Sequence, residues 1–332
     1  MPKKIAINGF GRIGRLTFRS LLDNDEVDVV AINDLTDNAT LAHLLKYDTA
    51  HGSLDHDIKA DDENIFVDGN KIVALSERDP SKLPWKDLGI DLVLECTGIF
   101  RDRSKASMHL EAGAKKVLIS APAKGGDVKT IVLGVNHDEI DVEETVFSNA
   151  SCTTNCLAPV VKTLDENFGI ILGSMSTIHA YTSDQNIQDA PHGDLRRARA
   201  AAQNIVPTST GAAKAVRLVY PKIGDKIMAM AFRVPTITGS IVDLTVKVEK
   251  KTSAEEVNEI FKKQAEGPMK GILKFETDPI VSSDIVGSTY SSIFDSELTT
   301  VDDEFVRVVS WYDNEAGYST RLGQLAVKLV TE

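Results

Sequence analysis

Lys4-Ile5-Ala6-Ile7-Asn8-Gly9-Phe10-Gly11-Arg12-Ile13-Gly14 is the stretch on which the reading of the fold turns. Lys4 to Asn8 reads as a short apolar strand, and glycines follow at once in the pattern G-x-G-x-x-G. Ile13, Leu16 and Leu21 then mark one face of a helix. In such a strand–turn–helix unit the glycines have separate jobs: a tight turn, close backbone approach to a pyrophosphate, and close helix–strand packing. A second strand, Val27 to Asn33, ends at Asp34, about twenty residues past Gly14. An acidic side chain there accepts from both ribose hydroxyls of an adenosine and repels a 2′-phosphate. Together these features predict dinucleotide binding.

Working outward, Asp91 to Cys96, Lys116 to Ser120 and Thr130 to Val135 read as further strands, near-continuous aliphatic runs suited to a parallel sheet covered on both faces. Thr97-Gly98 and Ser120 follow directly on strand ends, the edge of an open α/β sheet where a cofactor lies. Between them and the second strand, roughly residues 53 to 79 read as an irregular insert containing a hairpin, Ile65 to Val73, with Asp68-Gly69 at its turn. His51 and His56 sit near Asp55 and Asp57; a solvated polar loop explains them more simply than a metal site.

The chain has 332 residues, which as a prior means about two domains. A net charge of -12 argues against a nucleic-acid surface as the main function. Three cysteines, Cys96, Cys152 and Cys156, are too few and odd in number for a disulfide framework and fit a reducing compartment. No apolar stretch approaches the roughly 18 residues of a membrane span, and the N-terminal apolar run breaks too early for a signal peptide. The expected location is cytoplasmic.

After about residue 150 the pattern changes. Asp243 to Glu249 alternates apolar and polar residues, as in a sheet with one buried face, and Met228 to Val234 and Phe305 to Tyr312 do so less regularly. Ser253 and Glu256 form a capping box for a helix whose stripe is Val257, Ile260 and Phe261. Tyr318, Leu322, Leu325, Ala326 and Leu329 share one face of a last helix. The fold class is therefore an α/β Rossmann-type nucleotide-binding domain plus an α+β catalytic domain with a largely antiparallel sheet. The break falls between 1–150 and 151–314.

Ser148-Asn149-Ala150-Ser151-Cys152-Thr153-Thr154-Asn155-Cys156 joins the two halves, running from a strand into a helix. A thiol at a helix N-terminus tends toward thiolate. Cys156 lies one turn on and faces the core, and Cys96 reads as packing. His179 closes an apolar strand just before a long aperiodic segment, residues 181 to 206. That segment carries Arg196, Arg197 and Arg199, which suit either ion pairing or anion binding.

These segments resemble the phosphorylating glyceraldehyde-3-phosphate dehydrogenase family. The resemblance rests on residues 7–15 and 148–156, on His179-Ala180-Tyr181-Thr182 and Leu195 to Arg199, and on Trp311-Tyr312-Asp313-Asn314-Glu315. It implies a Cys152 nucleophile and His179 as its base, with NAD as cofactor. Substrate and inorganic phosphates would be held by Ser151, Thr153, Thr182, Asp184, Arg197, Thr210, Gly211 and Arg233. Cofactor contacts would come from Gly9, Phe10, Gly11, Arg12, Ile13, Gly14, Asp34, Arg78, Thr97, Gly98, Ser120, Asn314 and Tyr318. It further implies glyceraldehyde 3-phosphate and inorganic phosphate as reactants, a homotetramer, and a C-terminal helix (about 315–332) packed back onto the nucleotide domain. Neither a membrane nor a nucleic acid is expected as the main partner.

Ala190 departs from the usual Leu of NAD users, so some use of NADP is expected despite Asp34. Erythrose-4-phosphate dehydrogenase resembles the chain next best. The phosphate-site hydroxyls and Asp34-Leu35 favour the phosphorylating enzyme. A non-catalytic binding role has no sequence feature of its own here.

Overall fold

The computed structural model describes residues 1–332, and its contacts divide the chain into two compact units. The first comprises Met1–Ile131, Asp138–Ala150 and Ser319–Glu332; the second comprises Val132–His137 and Ser151–Tyr318. No helix is long and apolar enough to cross a membrane.

The first unit is built on nine strands. These are β1 (Lys3–Asn8), β2 (Val27–Asn33), β3 (Ile58–Ala60), β4 (Asn64–Val67), β5 (Asn70–Leu75), β6 (Leu92–Glu95), β7 (Lys116–Ile119), β8 (Lys129–Thr130) and β9 (Val146–Ser148). Their order is β3-β4-β5-β2-β1-β6-β7-β9-β8. From β5 to β8 every pairing is parallel, so the chain builds outward to one side of β1 and then returns to build β6, β7 and β9 on the other. That reversal puts the crevice of a doubly wound sheet at the ends of β1 and β6. Helix α1 (Arg12–Leu21) buries Leu16, Phe18 and Leu21.

Two sequence expectations need correction here. Residues 53–79 are not an irregular insert, because β3, β4 and β5 extend the sheet, with β5 parallel to β2. The hairpin turn is where the sequence puts it: Asp68 (φ 50°) and Gly69 (φ 81°) both adopt the left-handed conformation of a type I′ turn. Second, the strand expected over Thr130–Val135 is only two residues long. The Asn136 side chain accepts from the Val132 amide at 2.9 Å, and Gly134 is left-handed, so the aliphatic run turns instead of continuing.

The second unit carries β10 (Ile170–Ala180), β11 (Val206–Thr208), β12 (Ile227–Val234), β13 (Ser240–Val248), β14 (Leu273–Glu276), β15 (Ser292–Asp302) and β16 (Phe305–Tyr312). Four of its pairings are antiparallel; β10–β12 and β14–β15 are parallel. Along β13 buried and less buried residues alternate, with Val242, Leu244, Val246 and Val248 inside. Helix α2 (Ala254–Glu266) starts at Ser253, whose hydroxyl accepts from the Glu256 amide at 3.2 Å. Its capping box is incomplete, since the Glu256 carboxylate takes the Thr252 hydroxyl at 2.8 Å. The last helix, α3 (Ala316–Thr331), buries Leu322, Leu325, Ala326 and Leu329, and Lys116 Nζ reaches the Leu329 carbonyl at 2.8 Å.

Candidate active site

Cys152 is the first residue of the helix Cys152–Phe168. Ser151 caps that helix, accepting from the Thr154 amide at 3.1 Å, which leaves the earliest N–H groups pointing outward. The preceding Ala150 is fully buried with φ 55°, a conformation costly for a side chain bearing a Cβ. Such a turn holds the thiol at a fixed point.

His179 meets that thiol: its Nε2 lies 3.5 Å from Cys152 Sγ. The pair is 27 residues apart, and β10 carries the ring to the site. Tyr312 stacks edge-on against the imidazole at 5.9 Å, and its hydroxyl bridges Thr153 (3.0 Å) and Thr177 (2.8 Å). Arg233 is directly opposite His179 in the parallel register of β12 and β10, with Nη1 2.7 Å from His179 Nδ1. The same Nδ1 lies 2.7 Å from the Ala180 carbonyl.

Burial works against the thiolate expected of a helix N-terminus. Burial pushes the Cys152 thiol up, opposed chiefly by Arg233. Burial and then the Arg233 charge hold His179 down to about 3. Both shifts favour the uncharged thiol and imidazole, with desolvation by burial the leading cause. Arg233 Nε is buried and has no partner, an unsatisfied cationic donor in the site.

Several expected phosphate residues come together. The Thr182 hydroxyl donates to Asp184, Arg197 Nη1 pairs with Asp184 at 2.6 Å, and Arg197 Nε reaches the Thr208 hydroxyl at 3.1 Å. Burial would raise the Asp184 carboxyl, but Thr182, Arg233 and Arg197 hold it low. Gly211 begins the helix Ala212–Val219, and the Thr210 hydroxyl accepts from the Ala212 amide at 3.2 Å. Ser151 and Thr153 are already engaged, in the cap and with Tyr312. Of the loop arginines, Arg199 pairs with Asp189 at 2.8 Å, the ion-pairing alternative. Tyr312, Thr177 and Thr208 are additions that sequence reasoning missed; only the alternation along β16 marks Tyr312 as buried.

The glycine turn fits a dinucleotide. Gly9 is left-handed, and a Cβ on it would lie 2.7 Å from the Thr97 amide nitrogen; one on Gly14 would lie 2.3 Å from the Gly9 oxygen. Gly11, at the N-terminus of α1, has nothing within 4 Å of its Cβ position, the open space a pyrophosphate needs. Asp34 accepts from the Phe10 amide at 2.8 Å, with Arg78 exposed and Thr97, Gly98 and Ser120 at strand ends. Arg12 spends its side chain on Asp48 at 2.6 Å. In the second unit, Asn314 Oδ1 accepts from Ser240 Oγ (2.8 Å) and the Gly239 amide (3.2 Å), which leaves its Nδ2 as the end to donate to a ligand. Tyr318 is buried in the first turns of α3. Cys156, buried against Ser292 Oγ at 3.6 Å, is pushed up to about 12 by burial and is no nucleophile. His56 pairs with Asp68 and His51 with Asp48, so the two histidines do not converge.

Both halves of the chain resemble known proteins. Residues 3–103 match the family model "Glyceraldehyde 3-phosphate dehydrogenase, NAD binding domain", and residues 151–314 match "Glyceraldehyde 3-phosphate dehydrogenase, C-terminal domain". Proteins named glyceraldehyde-3-phosphate dehydrogenase are similar along nearly the whole chain. That of Mycobacterium avium is 58% identical over 98% of both chains. That of Geobacillus stearothermophilus is 55% identical over 100% of this chain and 99% of its own. That of Thermotoga maritima is 57% identical over 96% of both. Matches to both the NAD-binding and the C-terminal domain, with relatives this similar along nearly the whole chain, place the chain in the glyceraldehyde-3-phosphate dehydrogenase family, the NAD-dependent phosphorylating oxidoreductases of glycolysis.

Proposed function

We propose that Cys152 and His179 carry the oxidation of D-glyceraldehyde 3-phosphate to 1,3-bisphosphoglycerate, and that Arg233 switches the pair on. The carrying observation is the 3.5 Å approach of His179 Nε2 to Cys152 Sγ, beside an arginine whose buried Nε has no partner. The thiol adds to the aldehyde carbon and its proton passes through His179 to the carbonyl oxygen, giving a hemithioacetal and leaving His179 neutral again. The Cys152 backbone N–H, at the helix start, is the donor for the developing oxyanion. NAD, when bound, supplies the hydride acceptor; His179 takes the hydroxyl proton as the C–H hydride leaves, and a Cys152 thioester remains. Inorganic phosphate attacks the thioester carbon, the Cys152 sulfur leaves, and the acyl phosphate is released.

A base held down to about 3 is a poor one, and Arg233 is one of its two depressors. A substrate phosphate that draws the Arg233 guanidinium away removes that charge. It also leaves the Ala180 carbonyl as the partner of Nδ1, which fixes the proton there and turns the Nε2 lone pair toward Cys152. Substrate binding thus makes its own base.

In this reading Thr182, Asp184 and Arg233 form the substrate-phosphate site. Ser151, Thr153, Thr210 and Gly211 form the inorganic-phosphate site, with Arg197 near both. The thirteen cofactor contacts named above hold NAD, with Asn314 fixing the nicotinamide carboxamide. Residues 1–150 with the helix 315–332 form the NAD-binding domain and 151–314 the catalytic domain. The working form is a cytoplasmic homotetramer, a reading the three unpaired cysteines favour for location. Asp34 gives NAD preference, and the exposed Ala190 permits some NADP turnover. Equal kcat/KM for the two cofactors would contradict the role given to Asp34.

The test is to mix enzyme, NAD and glyceraldehyde 3-phosphate without phosphate, quench, and map the adduct by mass spectrometry. An acyl group on Cys152, discharged by added phosphate, is expected. An unmodified Cys152, or an adduct elsewhere, overturns the assignment.

A further inference from the structure

Beneath the cofactor edge of the first unit runs a chain of buried polar side chains that the reaction does not use. His109, fully buried, accepts at Nδ1 from Trp85 Nε1 at 3.0 Å. An indole N–H only donates, so the His109 proton sits on Nε2 and points at Glu95 Oε2, 3.1 Å away. Glu95, itself buried, accepts at Oε2 from Asn8 Nδ2 at 2.6 Å and at Oε1 from the Thr97 amide at 2.9 Å and the Thr97 hydroxyl. Asn8 Oδ1 accepts from Asn33 Nδ2 at 2.7 Å. Asn33 in turn clamps Glu77, donating to its carbonyl and accepting from its amide, each at 2.8 Å.

Each of the four linked positions precedes a cofactor contact by one or two residues: Asn8 before Gly9, Asn33 before Asp34, Glu77 before Arg78, Glu95 before Thr97. The chain crosses the C-terminal ends of β6, β1 and β2 and reaches the segment after β5. Tolerances there are tight, given the Cβ of any Gly9 replacement lying 2.7 Å from the Thr97 nitrogen. We infer that Glu95 is a positioning residue for the dinucleotide. By tying Asn8 and Thr97 together, with Asn33 and Glu77 in line, it holds the glycine turn, the ribose-binding acid and the Thr97-Gly98 edge in one register. This rests on the cofactor site proposed above.

Glu95→Gln keeps the volume and tests the idea. With its oxygen toward Thr97, its amide faces two donors, Asn8 Nδ2 and His109 Nε2; flipped, it faces Thr97. Either way charge-assisted hydrogen bonds are lost. The expected result is a Kd for NAD raised about tenfold or more, measured by equilibrium dialysis on folded enzyme, and faster hydrogen exchange at the Thr97 amide in NAD-free protein. Adding Asn8→Asp inverts the polarity of the Asn8–Glu95 link and is expected to recover at least about threefold of that loss. A Kd within twofold of wild type with unchanged Thr97 exchange overturns the inference, as does a loss that the double variant leaves untouched. Should Glu95→Gln not fold, Asn33→Ser cuts the chain at its other end with the same expected rise in Kd, and no rise overturns it. Asp34→Asn separates the two readings. If it also leaves NAD affinity unchanged, the cofactor site is misplaced; if it alone weakens binding, only the positioning role fails.

Discussion

Arg233 and His179 are register partners on adjacent parallel strands, and the guanidinium Nη1 stands 2.7 Å from the imidazole Nδ1. A permanent cation beside the proposed base weakens that base at rest and ties its strength to where the cation goes. Replacing Arg233 with Gln is therefore expected to raise the His179 pKa, read by NMR titration with His179→Asn for assignment. An unchanged titration would show that burial alone sets the value and that Arg233 has no switching role.

Cys152→Ala is expected to lower kcat by about four orders of magnitude or more while NAD binding remains measurable, because no second nucleophile is in place. Cys156→Ser keeps hydrogen-bonding partners in Ser292 and the Ser310 carbonyl, so its cost is expected to be about 1 kcal/mol of stability with kcat within about twofold. Comparable loss of turnover from both variants would contradict the assignment.

His179 has a folded pKa near 3 against 6.5 for an unperturbed histidine. Between those values the unfolded chain binds a proton the native site refuses, so falling pH favours unfolding through that window and stability rises with pH across it. Urea midpoints measured from pH 7 to pH 4 should fall less steeply for His179→Asn than for wild type. Parallel curves would mean that the ring is protonated in the native protein.

Tyr312→Phe removes the hydroxyl that bridges Thr153 and Thr177 in a fully buried setting. A stability loss of about 1–2 kcal/mol is expected, together with a rise in the KM for inorganic phosphate as the Thr153 hydroxyl loses its orientation. A destabilised variant with an unchanged phosphate KM would make Tyr312 a packing residue only.

The dinucleotide fold was legible because its signals are local: glycines with distinct steric jobs, a strand before them, and Asp34 at a set distance. The same holds for Cys152 at its helix start and for Ser253 at its cap. What local pattern misled was the 53–79 region, whose strands become regular only by pairing onto β2, and the aliphatic run after Thr130, turned by Asn136. The Arg233–His179 contact and the Glu95 chain were out of reach for another reason. Both depend on strand register or on side chains tens of residues apart, and no periodicity records them. Desolvation was missed too: helix position argues for a thiolate, and the surroundings of Cys152 and His179 push both groups toward their uncharged forms.

The central claim is that a Cys152 thioester is handed to phosphate and not to water. Initial rates of NADH formation from glyceraldehyde 3-phosphate, with and without inorganic phosphate or arsenate, test it most directly. Turnover that needs the added anion, with at most one equivalent of NADH per Cys152 in its absence, is the expected result. Sustained turnover indifferent to both anions would contradict the account and point to a hydrolysing aldose-phosphate dehydrogenase.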